Sequence, residues 1–482
     1  MRADTATVAS ARRAETTAAD AHAEAVRTGA RARDVADLAP VLLALLMFAG
    51  YTAVSVLRFH RMETRSWDLG IFEQAVRGYA HLQAPIVDLK GPGAHVLGDH
   101  FSPVTALLAP AYRVFPTPVT LLVAQAALFA LAVVPVTRAA GRLLGRGKGA
   151  AVGVAFGLSW GVQQAVDFDF HEICFAVPLI AFSLEALLAR RWRAALLWAV
   201  PLVLVKEDLG ANVCVLALVT AWRARRFSRR AVWWALGVAV FGALAALLTF
   251  TVLIPAFNGA GGYDYWTKVD GGPSPLAGAG TKVRTLLWLL LPTTGLLALR
   301  SPLLLVAAPT LGWRFLSADD HYWSTDWHYS AVLMPVLLLA LADAAAGARR
   351  SPRLWVRRYA DRLPGCAAAA ALALTPSLPL GSLTESATWR KPERAVAAER
   401  ALDRIPDGAT VEADVGPISR LTGRCRVLWI GDTRGVVPDY IALDNTSGRL
   451  RDPYAYAHDL HPDARYYVHG EGGGYLVLKR RT

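Results

Sequence analysis

The chain has 482 residues, of which 54% are hydrophobic and only 18% are charged. Because soluble domains carry about 25% charged residues, this composition excludes an ordinary soluble protein and indicates a polytopic membrane protein. The formal net charge of +13 comes from Lys and Arg that cluster between apolar stretches. Such clusters indicate membrane topology and contact with anionic membrane lipid, so no nucleic-acid partner is expected.

Residues 1–37 are rich in Ala and Arg and lack an apolar core, which predicts a disordered cytoplasmic extension. A membrane domain is predicted over 38–384, because apolar stretches of about 20 residues, the length that spans a bilayer, recur along it. Its first span is predicted at 38–57. A long polar loop at 58–102 and a short interfacial helix at 103–115 follow.

The stretch 194–222 lies between two Arg-rich clusters and must therefore cross the membrane an even number of times. As a helix it would be about 44 Å long, which is too short for two spans of about 30 Å each. Two short helices or a re-entrant hairpin are predicted, with Lys206-Glu207-Asp208 at the tip. About eleven crossings are expected in all, the others being at 117–136, 150–166, 174–188, 231–256, 283–297, 303–316, 329–346 and 367–383.

Basic clusters and acidic motifs alternate between successive apolar stretches. Lys and Arg in short loops mark the cytoplasmic side of the cell membrane, so the N-terminus is predicted to be cytoplasmic and the acidic motifs to face outward. The tail, 385–482, is predicted to be a small extracytoplasmic α/β domain that follows an all-α polytopic membrane domain. Its helix is predicted at 392–405, and its strands are predicted at 410–413, 426–430, 439–443, 466–469 and 475–479.

Carboxylates in the first two predicted outer loops are candidates for catalysis. Asp68 lies beside Trp67, and a carboxylate there can act as a general base. Alternatively Asp68 caps a helix, because Glu73 follows at a spacing typical of a helix start. Asp167 and Asp169 form a D-x-D pair, which in an extended loop can share a divalent cation, Mg²⁺ or Mn²⁺. The alternative for this pair is an interfacial cap that reaches toward water.

Polar residues in the neighbouring motifs are candidates for substrate binding. Asp99 and His100 precede the interfacial helix and either reach the same cavity or cap that helix. His171 follows the D-x-D pair directly and can complete a site there. The triplet Lys206-Glu207-Asp208 would be costly at membrane depth without a partner. Lys206 is therefore a candidate phosphate ligand, although the triplet can also neutralise itself.

Aromatic residues are dense just before the span predicted at 329–346. Trp327, His328 and Tyr329 lie at the end of this cluster. Trp and Tyr commonly form belts at the membrane interface, whereas sugars also bind by stacking on aromatic faces. His328 within the cluster favours a substrate-binding role.

Five motifs occur in the order found in the bacterial and archaeal membrane family DUF2079, which the chain resembles from about 41 to 444. At 169–172 the chain has Glu172 where members of that family often have Pro. The motifs are Trp-Asp-Leu-Gly-Ile-Phe-Glu-Gln (67–74), Gly-Asp-His-Phe-Ser-Pro (98–103), Asp-Phe-His-Glu (169–172), Lys-Glu-Asp-Leu (206–209) and His-Tyr-Ser-Ala (328–331).

The DUF2079 family in turn resembles the GT-C superfamily of multispanning glycosyltransferases, which use polyprenyl-phosphate sugar donors. This resemblance implies a GT-C-like membrane domain with a catalytic acid in the first outer loop. It also implies a D-x-D or D-x-E motif in the second outer loop. Asp68 occupies the first of these positions, and Asp167 and Asp169 occupy the second.

The first functional hypothesis is therefore a cell-envelope glycosyltransferase that carries out hexosyl or pentosyl transfer. It would move a sugar from a polyprenyl-phosphate donor to a glycan, lipid or protein acceptor on the extracytoplasmic face. In this hypothesis Asp68 deprotonates the acceptor, Lys206 holds the donor phosphate, and the tail domain helps to select the acceptor. A divalent cation at Asp167 and Asp169 is a further expectation, although a lipid monophosphate can leave without one.

Two other hypotheses come from different classes of protein. A transporter or flippase for a lipid-linked saccharide would use the acidic motifs as a substrate path. Such a path needs polar groups along the full membrane depth, whereas here they cluster at one end. A non-catalytic scaffold would leave these motifs unexplained.

Overall fold

The computed structural model describes residues 38–64, 67–265 and 276–481, so the extension predicted at 1–37 lies outside the described residues. A helical domain is followed by a small mixed β-sheet, which confirms the predicted fold class. The helices are α1 (Leu38–His60), α2 (Trp67–Ala80), α3 (Ala109–Val114), α4 (Pro118–Leu144), α5 (Arg146–Gly157), α6 (Trp160–Asp167), α7 (Ile173–Leu188), α8 (Trp192–Ala199), α9 (Leu209–Ala224), α10 (Arg229–Leu248), α11 (Ile254–Phe257), α12 (Ala279–Thr294), α13 (Ala308–Leu316), α14 (Met334–Ala348), α15 (Leu354–Leu374), α16 (Glu393–Leu402), α17 (Val415–Leu421) and α18 (Pro453–Leu460).

Apolar helices make up the membrane domain, which confirms a multi-pass membrane protein. Within the described ranges, four helical segments are long and apolar enough to cross a bilayer, namely Leu38–His60, Pro118–Leu144, Arg229–Phe257 and Asp320–Ala348. Four further apolar segments are shorter, namely Ile173–Leu188, Trp192–Leu204, Leu209–Ala224 and Pro302–Leu316. The predicted number of about eleven crossings and the predicted orientation stay predictions.

The span predicted at 150–166 is broken in the structure. α5 ends before Leu158, and α6 begins after Ser159. Gln163 Nε2 donates a hydrogen bond to Leu158 O (2.8 Å), and Ser159 Oγ donates to Phe156 O (2.7 Å). These side chains satisfy carbonyls that the break would leave free. The last predicted span is also wrong in its bounds, because α15 begins and ends earlier than the span predicted at 367–383.

The stretch between the two Arg-rich clusters folds into two short helical segments, as predicted. They are Trp192–Leu204 and Leu209–Ala224, and the second, with 16 residues, is about 24 Å long. Gly210 of α9 packs against Gly242 of α10, where an added Cβ would come 2.7 Å from the Gly242 carbonyl oxygen. Small residues permit this close approach of two helices. The triplet Lys206-Glu207-Asp208 lies between the two segments and directly precedes α9.

The segment predicted as a long polar loop contains a helix, so this prediction is wrong in part. α2 covers Trp67–Ala80, with Asp68 in its first turn, where the helix dipole favours a negative charge. This position agrees with the helix-start alternative for that residue. The helix predicted at 103–115 is present as a 3₁₀ turn, Pro103–Leu108, followed by α3.

The tail forms a five-stranded sheet in the order β2-β1-β3-β5-β4. β1 pairs in parallel with β2 and β3, whereas β5 runs antiparallel to β3 and β4. All five predicted strands are present and differ from the predictions by a few residues at most. They are β1 (Thr410–Ala413), β2 (Arg426–Trp429), β3 (Tyr440–Asp444), β4 (Tyr466–Gly472) and β5 (Tyr475–Arg480).

The five-stranded sheet and helices α16–α18, together called the sheet domain, do not form a complete hydrophobic core by themselves. Val411, Val427 and Val477 of the sheet share one buried cluster with Ile71 and Ala75 of α2. The sheet domain is therefore packed against the segment that precedes α3, far away in sequence. The domain boundary predicted at 384/385 stays a prediction.

Candidate active site

One cavity of about 400 Å³ lies where the first turn of α2, the α6–α7 junction, the turn before α9 and the loop before α14 meet. The structure brings to it most of the residues singled out from the sequence. The predicted residues that line the cavity are Asp68, His100, His171, Lys206, Glu207, Asp208, Trp327, His328 and Tyr329. Asp99, Asp167 and Asp169 do not line it.

Asp68 faces two histidines from distant parts of the chain. One ligand atom from each of Asp68, His171 and His328 lies within 4.8 Å of the other two. The imidazole rings of His171 and His328 stack with their centroids 3.8 Å apart and an interplanar angle of 29°. One carboxylate oxygen and two imidazole nitrogens form a donor set that suits zinc and other first-row transition metals.

Three of the four ring nitrogens of these histidines have no hydrogen-bond partner among the described residues. His328 is 2% exposed, yet neither ring nitrogen has a hydrogen-bond partner among the described residues. His171 Nδ1 lies 2.5 Å from Glu172 Oε2, a close contact whose angles are not those of a hydrogen bond. Buried polar atoms are nearly always paired, so these exceptions indicate a group that the site is built to bind.

The D-x-D pair does not have the geometry that its predicted role as a metal site assumed. Asp167 is the last residue of α6, and its carboxylate pairs with Arg58 Nη1 at 2.9 Å. Asp169 is buried and has a φ of +90°, in the left-handed region. The pair is thus not in extended backbone, and strand-like alternation does not aim its two side chains at one point. A metal role for Asp167 and Asp169 stays a prediction.

A buried ion pair lies at the cavity wall, where Lys206 Nζ is 3.0 Å from Glu172 Oε1. Burial by itself would raise the pKa of Glu172, but His171 and Lys206 outweigh burial and hold the pKa well below its ordinary value. Burial would likewise lower the pKa of Lys206, but Glu172 and Glu207 outweigh it and raise the pKa well above its ordinary value. Lys206 is thus a charged ammonium at the cavity, as a phosphate ligand must be.

Glu207 collects hydrogen bonds from three donors at the other side of the triplet. His100 Nδ1 lies 3.3 Å and Tyr263 OH lies 3.0 Å from Oε1, while the Phe101 backbone N–H donates to Oε2 at 3.3 Å. Burial raises the pKa of Glu207, but the hydrogen bond from His100 and the charge of Lys206 lower it to about 2. Glu207 therefore holds His100 and Tyr263 at the cavity, and both of its carboxylate oxygens already accept hydrogen bonds.

Asp99 lies behind His100 and orients it. Lys90 Nζ is 3.0 Å and His100 Nε2 is 3.7 Å from Asp99 Oδ2. Burial would lower the pKa of His100, but the charge of Asp99 contributes to raising it above its ordinary value. Tyr265 OH lies 3.1 Å from His100 Nε2 and accepts a hydrogen bond from Lys90 Nζ at 3.3 Å. The aromatic pair of Tyr263 and Tyr265 was not singled out from the sequence as lining the cavity.

Asp208 differs from its neighbour Glu207, because within the described ranges no positive group bonds its carboxylate directly. Burial and the nearby charge of Glu207 raise the pKa of Asp208 to about 6, although Lys206 opposes the shift. Oδ1 has no hydrogen-bond partner among the described residues, and Trp313 Nε1 is near but outside hydrogen-bond geometry. A carboxyl group of this kind can carry a proton close to neutral pH.

A buried arginine supports the aromatic wall of the cavity. Arg314 is fully buried and donates hydrogen bonds to Tyr322 O (2.8 Å), Ser324 O (2.9 Å) and Ser330 Oγ (3.3 Å). These bonds fix the loop that presents Trp327, His328 and Tyr329. Arg314 was missed from the sequence, where it looks like an ordinary basic residue near the end of a helix.

The fold is a known one, the GT-C fold, which the chain shares with a solved structure. The crystal structure of ArnT from Cupriavidus metallidurans bound to undecaprenyl phosphate matches it with a TM-score of 0.55 at 13% sequence identity, covering 91% of this chain and 97% of that chain. The apo-state crystal structure of the same protein matches with a TM-score of 0.48 at 12% identity, covering 85% of this chain and 92% of that one.

The chain belongs to the family of predicted membrane proteins named DUF2079, whose family model matches residues 58–476. This match confirms the resemblance inferred from the five motifs. No curated protein shows significant sequence similarity to the chain.

Proposed function

We propose that the protein is an inverting glycosyltransferase that transfers a sugar from a polyprenyl-phosphate donor to an acceptor hydroxyl. The observation that carries this proposal is that the carboxylate of Asp68 and the ammonium of Lys206 open into one cavity of about 400 Å³. The fold supports it, and ArnT, which shares that fold, was crystallised with undecaprenyl phosphate. A fold alone does not establish an activity, so the argument depends on the site.

The proposed reaction needs one base and one cation. The acceptor oxygen attacks the anomeric carbon of the donor sugar, and Asp68 takes the hydroxyl proton. The bond between the anomeric carbon and the phosphate oxygen breaks, and the polyprenyl phosphate leaves with the electron pair. Lys206 stabilises the charge of the leaving phosphate. Trp327 and Tyr329 provide aromatic faces against which the sugar ring packs.

A divalent cation is proposed at Asp68, His171 and His328, in preference to the D-x-D pair. Support comes from the 4.8 Å clustering of their ligand atoms and from the unpaired nitrogens of His328. Such a cation would be held by Asp68 and the two histidines and would supply positive charge beside the donor phosphate. The nitrogen-rich donor set favours zinc over magnesium or manganese.

Metal content of the purified protein tests the cation directly. We expect about one equivalent of a transition metal by mass spectrometry, lost in His328→Ala but retained in His321→Ala, which alters the exposed group at Asp319–His321. Equal metal content in both variants would place the metal elsewhere. No metal in the wild type would limit the triad to hydrogen bonding.

The membrane orientation is part of the proposal. The positions of the Arg clusters support a cytoplasmic N-terminus and a sheet domain outside. We therefore propose that the reaction occurs at the extracytoplasmic face, where membrane lipid presents the donor. A protease site inserted after Glu385 should be cleaved in intact cells. Cleavage only after lysis would overturn this orientation.

A panel of radiolabelled polyprenyl-phosphate hexoses and pentoses, added to reconstituted protein with glycan, lipid and protein acceptors, tests the activity. We expect transfer from at least one donor, with inversion at the anomeric carbon seen by NMR. Movement of an intact lipid-linked sugar across the vesicle membrane without transfer would instead support the flippase hypothesis.

A further inference from the structure

We propose that the sheet domain positions the catalytic base, with Trp429 as the main positioning residue. This inference rests on the proposed function, because it concerns the role of Asp68 as base. It assigns the tail a part in building the active site, separate from the acceptor selection expected from the sequence.

α2, which carries Asp68, is buried on two adjacent faces by two different domains. Leu69, Phe72 and Val76 belong to the core of the membrane domain. Ile71 and Ala75 belong to the core of the sheet domain. The helix is therefore held between the two cores, and its position depends on both of them.

The contact nearest to Asp68 is between two tryptophans. Trp67 and Trp429 meet edge to face, with ring centroids 4.3 Å apart and an interplanar angle of 70°. Trp67 also lines the cavity next to Asp68, so one of its sides faces the cavity and another contacts the sheet domain. Such edge-to-face aromatic pairs stabilise a contact beyond the area that they bury.

One turn further along α2, a glycine permits a close approach of the sheet domain. A Cβ added to Gly70 would lie 2.2 Å from Cγ2 of Ile418 in α17. Any side chain at this position would therefore push α2 and α17 apart. Because Gly70 is two residues from Asp68, such a displacement would move the carboxylate relative to the cavity.

Polar contacts fix the rotation and height of α2 against the sheet domain. Gln74 Nε2 donates to Val427 O at 2.9 Å, and Arg77 Nη1 donates to Thr422 O and Cys425 O at 3.0 Å each. The Thr422 hydroxyl also donates to the carboxylate of Glu73. Three consecutive turns of the helix, from Trp67 to Arg77, are thus tied to the sheet domain.

The donor side of the cavity is independent of these ties. Lys206 pairs with Glu172 at 3.0 Å, and both residues belong to the membrane domain. Loosening the sheet domain should therefore impair the base without weakening donor binding. A misplacement of a reacting group by about 1 Å can cost roughly 100-fold in rate.

The test compares Trp429→Ala with Trp429→Phe and with Tyr454→Ala, an exposed aromatic residue of the same domain that serves as the matched control. We expect Trp429→Ala to lower kcat by 10-fold or more while the donor Kd changes less than about twofold. Trp429→Phe should restore most of kcat, and Tyr454→Ala should match the wild type. An unchanged kcat in Trp429→Ala, or a parallel loss of donor binding, would overturn the inference.

Hydrogen exchange provides a second measurement that does not require activity. In Trp429→Ala, amides of 67–80 should lose protection while amides of α4 and α9 keep theirs. Unchanged protection of α2 would overturn the inference even in an active protein. If the wild type transfers no sugar from any donor, the proposed function fails, whereas the exchange result still decides whether the sheet domain holds α2.

Discussion

Two groups of charged and polar side chains lie at opposite ends of α7 and differ in how completely their polar atoms are paired. Near its C-terminal end, Glu185 is 1% exposed and accepts hydrogen bonds from Arg138 (3.0 and 2.8 Å) and Arg142 (2.5 Å). At its N-terminal end, His328 and Asp208 keep polar atoms without partners among the described residues. Both ends bury charge, but only the cavity leaves part of it unsatisfied.

This difference distinguishes buried charges that stabilise the fold from buried polar groups that are available to bind a ligand. A fully paired buried carboxylate has no capacity left for a ligand, whereas unpaired polar atoms around a cavity are costly unless something binds them. Substitutions at the cavity should therefore change activity more than stability. Substitutions at the Glu185 cluster should change stability more than activity.

The largest effect is expected for Asp68→Asn. Asn keeps the size and polarity of the side chain but cannot accept the acceptor proton, and loss of a general base costs about 10²–10⁴ in rate. Sugar transfer and donor binding are measured separately, with Glu385→Gln, an exposed carboxylate, as the control. Donor binding should survive, and the unfolding temperature should match the wild type. Transfer at the wild-type rate would make Asp68 a helix-start residue only and remove the main support for the enzyme.

A third buried carboxylate, Glu73, sharpens the comparison because hydroxyls rather than arginines bond it. Tyr112 OH donates to it at 2.8 Å, and Thr422 donates from the sheet domain. Burial raises the pKa of Glu73 from the ordinary 4.5 to about 7, although Thr422, Tyr112 and Arg77 oppose the shift. Its protonated form is therefore the one that the folded protein prefers.

This raised pKa predicts how stability depends on pH. The stabilisation is fully present below pH 4.5, is lost as pH rises to about 7, and should total up to about 3 kcal/mol. Glu73→Gln mimics the protonated form, so it should match the wild type at about pH 4 and exceed it in stability at about pH 8. Thermal unfolding at both pH values measures this, with Glu385→Gln as the control. Equal pH dependence in wild type and Glu73→Gln would contradict the assignment.

A smaller effect is expected from Lys206→Met, which removes the ammonium while keeping most of the volume. Charge-assisted hydrogen bonds contribute about 1.5–3 kcal/mol, so the donor Kd should rise roughly 10- to 100-fold. Lys391→Met, which removes an ammonium paired with Glu399 in the tail, is the matched control. A donor Kd that changes equally in both variants would exclude a phosphate contact at Lys206.

Most of the residues that line the cavity could be predicted from the sequence. A charged residue beside an apolar stretch is costly to bury, so its presence there indicates a specific role. His100, His171, Lys206 and His328 all lie next to stretches that must be buried, and the structure gathers them at one place. Alternating apolar residues and a Gly-rich turn likewise located the strands of the tail. These signals are local, so a single chain reveals them.

The remaining features depend on contacts between distant residues, which spacing does not encode. The helix break at Ser159 and the left-handed backbone at Asp169 decide where the D-x-D side chains point. Arg314 is buried because a later loop folds over it. The contact of Gly70 with Ile418 joins segments that no sequence pattern connects.

The smallest effect is expected for Glu185→Gln, at the fully paired end of the comparison. Gln keeps one carbonyl oxygen for Arg138 or Arg142 but loses the charge that holds both. The two arginines are 44% and 49% exposed, so water can solvate them, and the cost should be about 1–2 kcal/mol, well below that of an enclosed pair. Chemical unfolding in detergent measures this loss, while sugar transfer per folded molecule should equal that of the wild type. A loss of transfer without a loss of stability would mean that the paired cluster communicates with the cavity along α7, and the distinction between buried charges that stabilise the fold and groups that bind a ligand would then fail.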